Sequence, residues 1–192
     1  MDHKEEIIED KDKDESLGDF LDQFFLEKRT IFLFGDIENG LAKRTIQQLL
    51  YLKETKGDII LNICSDGGAI ESQNAIIDTI ELCKKEVDVC ICAIGKCFSA
   101  GANILTFGTK GKRVATANTT IMFHPISYDL PLDYISKQQS FSDYSKIESE
   151  RITEAVAKNI GKKKKDWGTL IEDGLWLSPK EALKLKVIDE II

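Results

Sequence analysis

A chain of 192 residues, 42% hydrophobic and with a net charge of −7, is long enough for one well-buried core and too short for two comfortable domains. No apolar run approaches the roughly 20 residues of a membrane-spanning helix, so no membrane association is expected. Residues Met1–Leu17 hold eight acidic residues against three lysines and account for −5 of the net charge. A secretory signal would start basic and turn apolar, so a cytoplasmic protein is expected. The remainder is close to neutral, which disfavours nucleic acid as a partner, because phosphate contacts need a concentrated basic surface.

Residues 1–18 are expected to form a flexible acidic segment and 19–192 a single domain. Ile31–Phe34 reads as a first strand ended by Gly35, and Leu41–Thr55 has helical spacing. Asp58–Cys64 reads as a buried strand followed by Ser65-Asp66-Gly67-Gly68, and Ile70–Lys85 as a helix with Ile76, Ile77 and Ile80 on its apolar face. Val87–Ile94 is the next strand; it breaks into a small-residue turn, and Ser99–Phe107 reads as a short helix. This repeat of strand, glycine-containing turn and helix predicts an α/β fold with parallel strands and helical crossovers. Val114-Ala115 and Thr119–Phe123 look like two further strand segments.

Residues 132–160 contain neither Pro nor Gly. They predict a helix about 40 Å long at 1.5 Å per residue, which projects outward and docks on a partner surface. Lys162–Lys165 reads as a solvated helix start rather than an anion site. Pro179–Leu185 predicts a last helix and Val187–Ile192 a final strand, with Trp167 and Trp176 packed in the core.

The five cysteines (Cys64, Cys83, Cys90, Cys92 and Cys97) are odd in number and lack zinc-knuckle spacing, so reduced core thiols and no metal are expected. Chemistry points instead to Ser99. It sits in Gly95-Lys96-Cys97-Phe98-Ser99-Ala100-Gly101-Ala102, where a strand gives way to a helix whose N–H groups and dipole favour developing negative charge. Only two histidines are present, His3 in the charged tail and His124 after a strand-like run, so His124 is the imidazole available to activate a serine. The small residues after Ser99 expose the Ala100 N–H, and Gly67-Gly68 ends the neighbouring strand with a second donor. Two such donors can form an oxyanion hole. Taken singly, each feature has an ordinary structural explanation: a helix N-cap, a turn, a hydrogen-bonding histidine. Serine before histidine excludes the chymotrypsin and subtilisin arrangements, and Cys97 stands where a nucleophile elbow needs glycine.

Several segments together resemble the proteolytic subunit of the Clp protease, the ClpP family of the crotonase-like superfamily. They are Ile31–Gly35, Asp58–Ile63, Gly67-Gly68, Asp78-Thr79, Gly95–Ala102, Gly111-Lys112-Arg113, Met122-Phe123-His124 and Leu177–Asp189, within about five-sixths of the chain. The resemblance implies a ClpP/crotonase-like spiral of strand-turn-helix repeats with a protruding handle helix at about 132–160. It implies a serine endopeptidase that degrades unfolded polypeptide. Ser99 would be the nucleophile, His124 the general base, and the Gly68 and Ala100 N–H groups the oxyanion hole. It further implies a homo-oligomer of two stacked heptameric rings, an AAA+ unfoldase partner of the ClpX, ClpA or ClpC type, and peptide bound as an added strand. ATP would be used by that partner, leaving this chain without a cofactor.

The resemblance departs from the family pattern at identifiable places. The family's aspartate position falls on Gly174, which nominates Asp173, one residue earlier, as the third triad member, with Glu172 also near. Asp66 stands where the family has Pro, Pro125 follows His124 directly, and Asn62 occupies a position where an aromatic commonly serves ATPase docking. Two other readings are a catalytically weak or inactive ring subunit that partners an active paralogue, and an acyl-CoA enzyme on the same superfamily fold.

Overall fold

The computed structural model describes residues 17–126 and 135–192. Alternating apolar residues build a parallel sheet from β1 (Thr30–Phe34), β2 (Ile59–Ser65) and β3 (Val89–Phe98), with Ile31, Leu33, Ile59, Leu61, Ile63, Val89 and Ile91 pointing into the core. The helices α2 (Asn39–Lys53) and α3 (Ile70–Cys83) cover that face with Leu49, Leu52, Ile76 and Ile80. The expected unit of strand, turn and helix is thus present, with boundaries that move by a few residues.

The described strands form a seven-stranded sheet, and its order turns on β3. The expected strand ended at Ile94, but β3 runs on to Phe98 past a left-handed Gly95 with φ +70°. Its first half pairs with β4 (Arg113–Ala115) and its second half with β5 (Thr120–Phe123), both in parallel. Thr119 bridges the change of partner: its Oγ1 donates to Ala93 O at 3.0 Å and accepts from Gly95 N–H at 3.1 Å. The local mark of this hand-over is Gly95-Lys96, which reads as the end of a strand rather than as a change of partner. The six-residue α4 (Ala100–Leu105) follows.

α5 (Ile135–Asn159) realises the long helix expected at 132–160; residues 132–134 of that region lie outside those described. Its last turns bury Ile152, Val156 and Ala157 on the body, whereas Lys146 and Ile147 are exposed and Tyr144 Oη donates to Glu71 of α3 at 3.3 Å. α6 (Lys164–Ile171) begins within the lysine run, as expected, and seats Trp167 against Phe123 with ring centroids 4.9 Å apart. The short β6 (Leu175–Leu177) pairs antiparallel with β5 and was not anticipated. It corrects the expectation for Trp176: the buried neighbour is Leu177, so alternation turns Trp176 outward, 60% exposed, against the Phe98 ring. α7 (Pro179–Lys184), opened by a capping box at Ser178 and Glu181, leads to β7 (Glu190–Ile191) beside β4.

A helix over 17–27, α1, precedes β1; it includes the last two residues of the segment expected to be flexible, and residues 1–16 lie outside those described. All five cysteines are free thiols. No helix among the described residues is long and apolar enough to cross a membrane.

The C-terminal strand is tied down by Asp189, which accepts from the Arg113 side chain (Nε 2.8 Å, Nη2 2.5 Å) and from the Gly111 N–H at 2.8 Å. Arg113 is almost fully buried, so removing its partner strands a charge, which costs about 3 kcal/mol or more. Burial alone would raise the Asp189 carboxyl, but the hydrogen bonds from Arg113 outweigh it and hold the group below the ordinary carboxylate value. A depressed folded-state pKa gives stability that is present above the unfolded value, about 3.9, and is lost as pH falls through the folded one. Chemical denaturation of Asp189→Asn is expected to show a loss of about that size at neutral pH, with a flatter fall in stability below about pH 4 than the parent chain shows.

Candidate functional site

Two glycines and one strained serine define the site. After β2, Ser65 Oγ donates to Gly35 O at 2.6 Å and accepts from Gly67 N–H at 3.0 Å, which turns the chain sharply. The next residues are clamped by Ile37, whose N–H donates to Gly67 O at 2.8 Å and whose carbonyl accepts from Ala69 N–H at 3.0 Å. Both glycines have positive φ, +118° at Gly67 and +152° at Gly68. A Cβ at Gly67 would lie 2.7 Å from Ser99 Cβ, and one at Gly68 would lie 2.5–2.7 Å from the Ile37 backbone. Only glycine lets the turn approach both the serine and the neighbouring chain this closely.

Ser99 caps α4 with φ 52° and ψ −118°, an unfavourable conformation for a residue with a Cβ, of the kind that costs on the order of 1–3 kcal/mol. It is held there by backbone bonds on both sides: its N–H donates to Met122 O at 2.8 Å, and its carbonyl accepts from Asn103 N–H at 3.0 Å. Because Phe98 pairs with Met122 at the end of the β3–β5 ladder, Ser99 and His124 both emerge just past that ladder's end. They line one cavity of about 210 Å³ together with Gly68 and Ala100. Asp66, Ile70 and Gln73 form one wall, and Asn103 and Ile126 contribute to the rest.

The backbone N–H groups of Gly68 and Ala100 donate to no acceptor among the described residues. α4 is only six residues long, so the expected help from a helix dipole is slight; what the site offers is two free donors. His124 is half-buried, and its Nδ1 lies 2.6 Å from Pro125 O. A carbonyl oxygen can only accept, so this contact puts the proton on Nδ1 and leaves a lone pair on Nε2. No hydrogen bond joins Ser99 Oγ to the ring in this structure. Cys97, two residues before Ser99, is no rival nucleophile, because burial raises its thiol well above the usual range. Burial likewise pushes Cys92 up to about 11.

No hydrogen bond joins Asp173 to His124. Asp173 lies exposed in the turn between α6 and β6 and hydrogen-bonds no described residue. Since Phe123 pairs with Leu175, the residue that comes opposite His124 is Gly174, in agreement with the alignment that left the aspartate position on glycine. Sequence reasoning noted Asp66 but missed its partner: it forms an ion pair with Lys96 at the cavity rim. It also missed Gln73 and Asn103. The signal was there, since Gln73 interrupts the apolar stripe of Ile70, Ile77 and Ile80 on α3.

The fold is that of a mostly parallel α/β protein whose sheet carries a polar cleft beyond the β3–β5 ladder. Residues 12–192 match the family model described as Clp protease. The chain therefore belongs to the Clp protease family, the ClpP-type peptidases.

The glycine clamp makes a direct prediction. Gly68→Ala would drive a Cβ into the Ile37 backbone, which cannot yield without breaking its two bonds, so the thermal midpoint should fall by several degrees. Calorimetry on the variant checks this.

Proposed function

We propose that this chain is the serine endopeptidase subunit of a self-compartmentalised protease that degrades unfolded polypeptide. The observation that carries the reading is a single cavity lined by one strained serine, one imidazole with an available Nε2, and two unused N–H donors. In this reading Ser99 Oγ attacks the scissile carbonyl carbon while Nε2 of His124 takes the hydroxyl proton. The oxyanion accepts from the Gly68 and Ala100 N–H groups. The imidazolium then protonates the leaving amine, giving an acyl-Ser99 ester and a free N-terminus. Water enters, loses its proton to Nε2 and releases the carboxylate, restoring Ser99.

The third member of the triad is assigned to Asp173, which flanks the residue facing His124. Its carboxylate would replace the Pro125 carbonyl at Nδ1 when the turn between α6 and β6 closes inward. The reading also includes assembly into two stacked heptameric rings, with α5 as the ring-to-ring handle. It is supported by an apolar face left open on the chain. Phe20, Phe24, Phe25, Phe32 and Phe34 form a ladder with centroids 5.0–6.5 Å apart, stacked at Phe20–Phe24 and edge-to-face at the other three contacts, and all but Phe25 are exposed. Protein-sized substrates would be fed by an AAA+ unfoldase of the Clp type, which consumes the ATP, so this chain needs no cofactor. Five unpaired thiols fit a reducing, cytoplasmic setting.

A second reading is favoured by Gly174 opposite His124 and by the unengaged Asp173: a weak or inactive ring subunit that partners an active paralogue. A fluorophosphonate probe separates the two. Labelling is expected in the parent chain and absent in Ser99→Ala, and His124→Ala should reduce peptide turnover on the order of 10⁴-fold or more. Asp173→Asn should lower turnover by about 10⁴-fold; unchanged turnover would hand the orienting role to the Pro125 carbonyl. An unlabelled parent chain would favour the inactive subunit. Native mass spectrometry should report a tetradecamer, and Phe24→Glu should shift it to smaller species.

A further inference from the structure

Below the serine, the wall of the cavity is polar where an aliphatic lining would pack equally well. Gln73 is only 2% exposed and faces inward among the isoleucines of α3. Both ends of its amide are engaged: Nε2 donates to Asn74 Oδ1 at 3.3 Å, and Oε1 accepts from Asn103 Nδ2 at 2.9 Å. Gln73 therefore fixes the Asn103 side chain. Asn103 is half-buried, and its Oδ1 accepts no hydrogen bond among the described residues. Its second Nδ2 hydrogen is also left over, since a primary amide carries two. At the rim, the Asp66 carboxylate is already neutralised by Lys96. The wall thus offers one oriented carboxamide and no unbalanced charge.

Asn103 follows Ser99 by four residues, about 6 Å along a helix axis. The substrate residue whose carbonyl meets Ser99 Oγ carries its side chain on the Cα bonded to that carbonyl carbon, within reach of Asn103. We propose that Gln73 and Asn103 select a substrate residue bearing a side-chain carboxamide, Asn or Gln, on the acyl side of the cleaved bond. This rests on the serine-peptidase reading of the same cavity. A carboxamide both gives and takes a hydrogen bond, matching the two free valences of Asn103. An aliphatic side chain would strip water from that amide and return nothing, and sites built on hydrogen bonds reject analogues that lack them. A lysine or arginine would find its natural partner, Asp66, already paired.

The test measures competition for Ser99 against a fluorophosphonate by peptide boronates that differ only in the reacting residue, Gln or Leu. The full-length chain is expected to bind the Gln boronate about tenfold more tightly than the Leu boronate. Asn103→Leu should reverse the order, and the comparison is a ratio within one protein, so a general loss of reactivity cancels. Equal or tighter binding of the Leu boronate by the parent chain overturns the selectivity while leaving the peptidase reading intact, because the probe still labels Ser99. Failure of the probe to label the parent chain overturns both. The parent-chain ratio decides the matter even if Asn103→Leu does not fold.

Discussion

The site depends on one strand serving two neighbours in turn. β3 pairs with β4 as far as Ala93, then with β5 from Lys96 onward, and Thr119 pins the switch by bonding on either side of it. Thr119 is buried at 2% exposure, so a shift of either strand by a residue would cost its hydroxyl both bonds to β3 and leave it only Thr116 Oγ1, 2.8 Å away. The Ser99 N–H is then delivered to Met122 O, two residues before His124. A hydroxyl and an imidazole that are 25 positions apart in the chain are therefore placed by backbone pairing, which is stiffer than any side-chain contact between them.

Backbone strain is concentrated at the same point. Ser99 has positive φ, and the two glycines facing it are packed so closely that neither tolerates a methyl group. Such conformations persist only where the surroundings over-determine them, as the Ile37 clamp, Ser65 and the β5 carbonyl do here. Opposite the strained turn the cavity is polar, with Gln73 and Asn103 locked to each other. The same helices that bury isoleucines elsewhere turn amides toward the cleft.

On the other side of the sheet the balance reverses. The outward faces of β1 and β2 keep Phe32, Phe34 and Ile60 exposed, and α1 extends that apolar surface rather than closing it. A mostly parallel sheet ordinarily has both faces covered, so the isolated chain is unfinished on this side. Apolar patches rimmed by charge mark association surfaces. The exposed rings of Phe20, Phe24, Phe32 and Phe34 form one such patch.

Much of this could be read from residues in order. The alternation in Ile31–Phe34 and Asp58–Cys64, the spacing of isoleucines along α3 and the unbroken run toward Ile160 each specify an element, because they report periodicity within one segment. Ser99, His124 and Gly67-Gly68 were singled out by scarcity and by neighbouring small residues. What the chain alone left undetermined were relations between segments. That β3 continues past Gly95, that β6 pairs with β5 and turns Trp176 to solvent, and that Gly174 rather than Asp173 comes opposite His124 all depend on strand register, which is set by packing between distant residues. Gln73 and Asn103 likewise acquire meaning only when α3 and α4 meet. The sequence by itself determined the elements and the chemical groups available; tertiary structure alone decided which of those groups share a cavity, because that follows from long-range pairing that no local pattern encodes.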